Sequence, residues 1–469
     1  MLWRFAERCG AQGVSFIVSM ILARLLDPKL YGTIALVLVF INILSVFVDS
    51  GLGNALIQKS NADELDFSTV FYANILFCLM LYMLLYLAAP LFSLFYSQHE
   101  LIPIIRVLGL TLIISGLKNV QQAYVSRNML FKRFFFATLG GTIIAALVGI
   151  GMAYYGFGVW ALVAQHLINS TLDTLILWVS VRWRPKWMFS LERLRGLFCY
   201  GSKFLLSGLV DTLYNNIRQL IIGKLYTSED LAFYNKGDQM PFMFIGNVNT
   251  SIDSVLLPTM SQVQDDRQRI KEMVRRSITT SVYIIAPMMM GLSAVAPRLI
   301  QFLLTDKWMP CIPYLRIFCI SYIFYPIHTA NLNAVKAMGR SDIFLKLEII
   351  KKIVGLSLLL VSMWYGPLVM AYSTLVSNVI SQIINSSPNK KLLGYRYLEQ
   401  LKDITPCLLL AVGMGITVGI LGRLNLPTIP LLFLQVVTGS VLYLIGSAAL
   451  KLDAFTYLWT QVKAYLSRT

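Results

Sequence analysis

The stretch at residues 34–48, IALVLVFINILSVFV, decides the fold class of this chain, because only Asn42 and Ser45 interrupt its run of apolar residues. Similar apolar blocks occupy residues 143–152 and 408–421. Hydrocarbon offers no hydrogen-bond partner to the backbone, so such blocks must form helices or a closed barrel. Barrel strands alternate apolar and polar residues, and these blocks do not. The sequence therefore predicts an all-α polytopic membrane protein.

Composition supports this prediction and excludes several other protein classes. Of the 469 residues, 57% are hydrophobic and 13% are charged, whereas a soluble domain carries about 25% charged residues. The net charge of +17 would suggest a nucleic-acid partner in a soluble protein. In a membrane protein, basic residues collect in cytoplasmic loops instead, so we expect no nucleic-acid partner. The six cysteines and three histidines show no metal-ligand spacing, and we expect neither a metal nor a cofactor.

The apolar blocks are spaced for about fourteen transmembrane helices, each needing roughly 20 mostly apolar residues. The first of them serves as the membrane anchor, since no short cleavable signal precedes it. The predicted spans are residues 8–26, 31–57, 67–95, 101–126, 133–155, 158–181, 197–225, 231–260, 274–303, 312–336, 342–364, 367–387, 404–422 and 427–450.

The distribution of lysine and arginine predicts the orientation of these spans. With the N-terminus inside, 26 basic residues fall in cytoplasmic segments and four fall outside, namely Lys29, Lys224, Lys307 and Arg423. Positive charge concentrates on the cytoplasmic side of membrane proteins. This asymmetry predicts an even number of spans and two cytoplasmic termini.

The chain also repeats itself at a spacing of 200–210 residues. Five short matches occur in the same order: Arg24-Leu25 with Lys224-Leu225, Asp49-Ser50 with Asp253-Ser254, Ala89-Pro90 with Ala296-Pro297, Ile102-Pro103-x-x-Arg106 with Ile312-Pro313-x-x-Arg316, and Tyr155-Gly156 with Tyr365-Gly366. Six spans separate each matched pair, so the repeat is parallel. We predict an N-terminal six-helix bundle at 1–192, a second six-helix bundle at 193–390 and a terminal helix pair at 391–469.

Charged residues within the predicted spans are mostly basic. Ten basic and six acidic residues lie there, and such groups are costly at the bilayer centre, by roughly 2.5–3.5 kcal/mol each on insertion scales. Arg106, Arg298 and Arg316 lie near outer span ends, where their side chains can snorkel to headgroups. Glu348 can pair with Lys351 and Lys352, at i+3 and i+4. The basic excess favours a path for an anionic substrate.

Polar residues follow helical spacing on several spans, as they would along one face of a helix. One reading is hydrogen bonding between helices; the other, which we favour for the set as a whole, is a hydrated, mildly cationic lumen. The lumen candidates are Arg218, Lys118, Lys236, Arg24, Asp211, Asn215, Asn42, Asp49, Asp253, Gln122, Asn169 and Asp173.

Several stretches resemble the polysaccharide transporter family of the MOP flippase superfamily, especially its colanic-acid and teichuronic-acid exporters. The resemblance covers about residues 1–395 and leaves the last two spans without a recognised motif. The stretches are Ala23-Arg24-Leu25-Leu26-Asp27-Pro28 with Tyr31-Gly32, Asp49-Ser50-Gly51-Leu52-Gly53, Gly156-Phe157-Gly158-Val159-Trp160-Ala161-Leu162-Val163, Phe233-Tyr234-Asn235-Lys236-Gly237, Lys307-Trp308, Gly339-Arg340-Ser341 and Leu347-Glu348-Ile349-Ile350-Lys351-Lys352.

This resemblance implies two six-helix bundles with the last two helices at the side. It implies a flippase of the bacterial cytoplasmic membrane that moves undecaprenyl-pyrophosphate-linked oligosaccharide outward by alternating access. Arg218, Lys118 and Lys236 would then meet the diphosphate, which arginine and lysine bind through charge-assisted hydrogen bonds. Expected partners are the lipid-linked glycan, membrane lipids, and glycan polymerase or assembly proteins.

Two alternatives remain open at the level of sequence. A cation-coupled multidrug exporter of the same superfamily needs unpaired acids in its lumen, and Asp49 and Asp253 fit that role. A membrane enzyme such as a glycan polymerase would carry a large outer loop, but no predicted outer connection much exceeds ten residues. A phosphate-binding G-x-x-x-x-G-K-[ST] loop is absent from the sequence. We therefore expect a transporter that is not an enzyme, with its energy source undetermined.

Overall fold

The computed structural model describes residues 2–49, 52–59, 61–128 and 131–466. The described residues form helices, turns and loops, and contain no β-strand. The chain divides into two compact units, residues 1–232 and 233–469. The all-α fold class is therefore confirmed.

The first unit holds eight helices and the start of a ninth. Their bounds are α1 Leu2–Leu25, α2 Pro28–Asp49, α3 Leu52–Gln58, α4 Glu64–Tyr96, α5 Leu101–Arg127, α6 Phe131–Tyr154, α7 Val159–Ser180 and α8 Leu191–Leu225. Helix α2 packs against α5, α7 and α8, while α1 packs against α6. Helix α8 also contacts α3 and α4, so its contacts place it in the first unit. The boundary between repeated bundles that the sequence predicts at residue 192 stays a prediction.

The second unit holds most of α9, Ser228–Ser261, and the rest of the chain. Its further helices are α10 Arg267–Leu304, a short 3-10 helix Asp306–Cys311, α11 Ile312–Ile323, α12 Tyr325–Ala337, α13 Ser341–Ser362, α14 Pro367–Leu392, α15 Tyr397–Leu421, α16 Thr428–Ala449 and α17 Asp453–Leu466. Helix α10 is its central element, contacting α11, α12, α15, α16 and α17.

Each of the fourteen predicted spans falls on a long helix or a pair of consecutive helices. Among the described residues, nine segments are long and apolar enough to cross a membrane by length and composition alone. The five predicted spans outside that set lie on α1, α7, α8, α9 and α13. These helices carry many of the polar and charged residues that the sequence placed in a lumen, which lowers their hydropathy.

The matched pairs of the repeat fall at equivalent places in the helices. Leu25 ends α1 and Leu225 ends α8, while Ile102 lies at the start of α5 and Ile312 begins α11. Gly156 and Gly366 each precede a helix, and their own φ angles are positive, at 79° and 110°. Glycine adopts this conformation without steric cost. The repeat is therefore visible in the local structure of each unit.

Two predicted spans are interrupted. The span at 31–57 is divided between α2 and α3, with Ser50 and Gly51 outside the described residues. The span at 312–336 is divided at Phe324 between α11 and α12. Pro326 has no backbone N–H to donate to the carbonyl oxygen of Tyr322, as a continuous helix would require, so the helical hydrogen bonding is interrupted there. Helix α17 was not predicted, because its amphipathic sequence is too short and polar for a span.

Candidate functional site

Arg218 on α8 is the strongest anion-binding candidate of the first unit. Its side chain is partly buried, and its Nε and Nη2 atoms are buried without a hydrogen-bond partner among the described residues. A buried donor without an acceptor costs free energy, more so in a charged group. A ligand with acceptor oxygens would satisfy these donors.

Lys118 and Asp173, both lumen candidates, form an ion pair. Lys118 Nζ on α5 lies 2.9 Å from Asp173 Oδ2 on α7, and the two side chains are 20% and 16% exposed. The nearby carboxylate compensates the lysine charge. The geometry therefore gives this pair a structural role joining two helices, while a direct role for Lys118 in substrate binding stays a prediction.

The remaining candidates of the first unit are polar groups on helix surfaces. Asn42, Asp211, Asn215 and Arg24 are exposed, whereas Gln122 and Asn169 are partly buried. The Oδ1 atom of Asn169 is buried without a partner among the described residues. Arg24 lies at the end of α1, whereas the others lie within their helices, where exposed polar groups fit a water-filled path better than lipid. The side chain of Asp49 lies outside the described ones.

In the second unit, the candidates on α9 already have partners. Lys236 is buried, with its Nζ 3.4 Å from Gln239 Oε1 and 5.8 Å from the ring centre of Trp308. Asp253 is exposed and accepts a hydrogen bond of 2.6 Å from Asn333 Nδ2. On α13, Lys351 Nζ lies 2.6 Å from Glu348 Oε1, which confirms that expected pair.

Sequence reasoning gave too little weight to Asn249, which lies four residues before Asp253 on α9. Asn249 is 6% exposed, and both of its amide atoms lack a hydrogen-bond partner among the described residues. A buried amide usually finds partners in the protein. The available signal was the four-residue spacing of Asn249 and Asp253, which puts both on one face of the helix. The burial of Asn249 marks it as a further polar group that a ligand or water could satisfy.

Sequence reasoning also missed a polar cluster that ties the basic segment at 182–195, which leads into α8, to the start of α4. Asp66 is fully buried and lies 2.6 Å from Lys59 Nζ and 3.5 Å from Arg193 Nη1. The backbone amides of Lys186 and Ser190 donate to Ser68 and Thr69. The Asp66 backbone amide, and then the Arg193 charge, hold the pKa of Asp63 below its usual value. These contacts fix a connection that the sequence showed only as a run of positive charge.

Comparison with known proteins identifies the family. Residues 21–313 match the model of the family described as "Polysaccharide biosynthesis protein". The chain belongs to this polysaccharide biosynthesis family. The resemblance seen in the sequence is thereby confirmed.

Similarity to individual proteins extends over most of the chain. The succinoglycan biosynthesis transport protein ExoT of Rhizobium meliloti (strain 1021) is 24% identical over 406 residues, covering 87% of this chain and 80% of ExoT. The structure of the lipid II flippase MurJ in its inward closed conformation has a TM-score of 0.76 at 15% identity, and the match covers 96% of this chain and 98% of that one.

A multidrug resistance MATE family transporter of the MOP superfamily, in an inward-facing structure, also shares the fold. Its TM-score is 0.62 at 14% identity, over 83% of this chain and 94% of that one. These two solved structures establish a common fold for this family member. At such low identity they do not assign a substrate.

Proposed function

We propose that this protein is a flippase that moves lipid-linked oligosaccharide repeat units across the bacterial cytoplasmic membrane for surface polysaccharide synthesis. Membership of a polysaccharide biosynthesis family and similarity to a named transport protein support the substrate class. The carrier lipid is undecaprenyl pyrophosphate, whose diphosphate is anionic. Membrane lipids and glycan polymerase or assembly proteins are its proposed partners, and no catalytic step is assigned to it.

The observation that carries this proposal is the state of Arg218. Its guanidinium is partly buried within a helix of low hydropathy, and two of its nitrogens have no acceptor among the described residues. Arginine binds phosphate oxygens through several parallel hydrogen bonds. We assign Arg218 the diphosphate, while the exposed amides of Asn42 and Asn215 and the partly buried amides of Gln122 and Asn169 would line the path of the sugars.

Transport would proceed by alternating access, in which the substrate binds from the cytoplasmic side and leaves on the outer side. A negative charge moving outward across an inside-negative membrane gains about 2.3 kcal/mol per 100 mV. The membrane potential is therefore one adequate driving force, beside proton or sodium gradients.

The alternative is a cation-coupled multidrug exporter, which shares this fold. Such a protein needs acids that are free to bind a cation or proton. Of the two acids that the sequence offers for this role, Asp253 accepts a hydrogen bond from the neutral amide of Asn333, and the side chain of Asp49 lies outside the described ones. Asp173, a third acid among the lumen candidates, is neutralised by Lys118. This ion pair and the family of the chain favour the glycan flippase.

The test is export of surface polysaccharide in cells whose only copy of this protein carries Arg218→Gln. Because glutamine removes the charge, we expect export to fall by about tenfold or more, the factor that corresponds to one lost charge-assisted hydrogen bond. Arg195→Gln is the matched control, since Arg195 is an exposed arginine near the start of the same helix. Equal export by both variants, at equal membrane levels, would refute the assignment. Drug resistance without a glycan defect would favour the exporter.

A further inference from the structure

A cavity of about 460 Å³ in the second unit brings three arginines together, apart from the candidates discussed above. Arg298 comes from α10, Arg316 from α11, and Arg423 from the turn after α15. The sequence predicts that Arg298 and Arg316 lie near outer span ends, where their side chains can snorkel to headgroups. In the structure they line one cavity with Arg423, a third cation that the predicted topology places outside the membrane.

The positive charge in this cavity is not neutralised by the protein. The residues that line it include no aspartate or glutamate. Arg316 Nε donates to the backbone oxygen of Ser293 at 3.4 Å, and a backbone oxygen carries no compensating charge. Within the described part of the chain, no ion pair is formed by Arg298 or Arg423. Three cations in one concave site attract an anion, and arginine suits phosphate oxygens in particular.

The other walls of the cavity are apolar or small. Gly415 and Gly419 on α15, and Gly422 directly after it, line this wall. Open space lies beside Gly419, whereas Gly415 and Gly422 pack closely against Met290 and Gln435. Ile416 lies between Gly415 and Gly419 and is 58% exposed on a segment apolar enough to span a membrane. The site thus combines a charged end with a wall suited to hydrocarbon.

Gln435 on α16 adds a hydrogen-bond acceptor. It is 1% exposed, and its Nε2 donates to the backbone oxygen of Val418 at 2.9 Å. Its Oε1 is buried without a partner among the described residues. A ligand hydroxyl beside the phosphate would satisfy this oxygen.

We propose that this cavity binds the headgroup of an anionic phospholipid with its phosphate on the three arginines. Phosphatidylglycerol has the required chemistry, because it carries one phosphate, hydroxyl donors and acyl chains. The cavity lies between α10, α11, α15 and α16, so a bound lipid would join the terminal helix pair to the rest of the second unit. This inference concerns lipid binding and does not depend on the transported substrate.

Arg106 provides a matched control within the same chain. It corresponds to Arg316 in the sequence repeat, but its guanidinium carbon lies 4.2 Å from the centre of the Tyr86 ring. Arg106→Gln therefore removes the same charge at the equivalent position of the first unit and leaves the cavity unchanged.

The experiment measures thermal unfolding of the full-length protein in neutral detergent micelles with added phosphatidylglycerol, phosphatidylcholine or soluble glycerol 3-phosphate. We expect phosphatidylglycerol to raise the melting temperature of the wild type and phosphatidylcholine to raise it much less. The double variant Arg298→Gln/Arg423→Gln should bind phosphatidylglycerol about tenfold more weakly or worse, because it loses two charged contacts. Arg106→Gln should respond as the wild type does.

Native mass spectrometry supplies a second readout, since a wild-type molecule should retain one more phosphatidylglycerol than the double variant. Arg423→Gln alone keeps the test valid if the double variant does not fold, because Arg423 is exposed in a turn. An equal phosphatidylglycerol response in wild type and folded variant would overturn the proposal. So would a full response to glycerol 3-phosphate without lipid, since the site would then take a soluble anion.

Discussion

The carboxylate of Asp66, at the start of α4, is fully buried. Lys59 and Arg193 lie within ion-pair distance of it, and the backbone amide of Asp63 donates to it. A buried charge is tolerated only when its hydrogen bonds are satisfied. Arg218 is the opposite case, because its buried Nε and Nη2 donors have no acceptor among the described residues. The first arrangement stabilises the fold, and the second suits a ligand.

Asp66→Asn is predicted to lower the free energy of unfolding by roughly 3 kcal/mol, because it leaves Lys59 and Arg193 without their buried counter-charge. Denaturant unfolding in detergent measures the change. Glu64→Gln is the control: Glu64 pairs with Lys186 at the surface, with 55% and 62% of the side chains exposed, so its loss should cost below about 1 kcal/mol. Equal effects of the two substitutions would contradict the buried role of Asp66.

At the scale of helices, both units have a polar contact between corresponding helices, but the residue types that form it differ. Lys118 on α5 pairs with Asp173 on α7. His328 on α12, which corresponds to Lys118 in the repeat, contacts Asn385 on α14. Corresponding elements are thus joined by an ion pair in the first unit and by a contact between an imidazole ring and a side-chain amide in the second.

A double-mutant cycle on Lys118 and Asp173 tests whether this contact joins α5 to α7. We expect Lys118→Met or Asp173→Asn alone to destabilise the protein, and the double variant to cost less than the sum. The expected coupling is roughly 2 kcal/mol, because both side chains are mostly buried. Unfolding in detergent gives the four free energies. Additive effects would mean that the pair contributes no interaction of its own.

Helix existence could be read from the sequence, because a span is set by a long apolar block and needs no knowledge of its neighbours. Helix interruption at Phe324 was harder to predict. Pro287 and Pro297 lie inside the continuous helix α10, so a proline alone does not show where a helix ends. Pairing between helices was also out of reach, since the sequence placed Lys118 and Asp173 in one lumen but could not show that they neutralise each other.

The cavity of Arg298, Arg316 and Arg423 illustrates the same limit. The sequence predicts two of these residues at outer span ends and the third in an outer loop, so it already indicated that all three lie at the outer side of the membrane. Their convergence depends on how α10, α11 and α15 pack within the second unit. Packing of this kind is fixed by contacts far apart in the chain, such as the hydrogen bond from Tyr443 to the backbone of Tyr283.

At the scale of the whole molecule, the asymmetry of basic residues predicts that both termini are cytoplasmic and that the turn at 422–427 is external. Asn425→Cys should therefore react with a membrane-impermeant maleimide added to intact cells, whereas Lys390→Cys should react only after permeabilisation. Both positions are exposed, so accessibility reports the side of the membrane. A reversed pattern would contradict the topology.

The central claim, that this protein flips a lipid-linked glycan, is tested most directly by locating that lipid in the membrane. The measurement compares the leaflet distribution of lipid-linked repeat units in cells with the wild-type protein, with none, and with Arg218→Gln. Outer-leaflet molecules are detected by a membrane-impermeant enzyme that cleaves them in spheroplasts. We predict that the repeat units accumulate in the inner leaflet in the null and Arg218→Gln cells. An unchanged outer-leaflet fraction in cells lacking the protein would contradict the account.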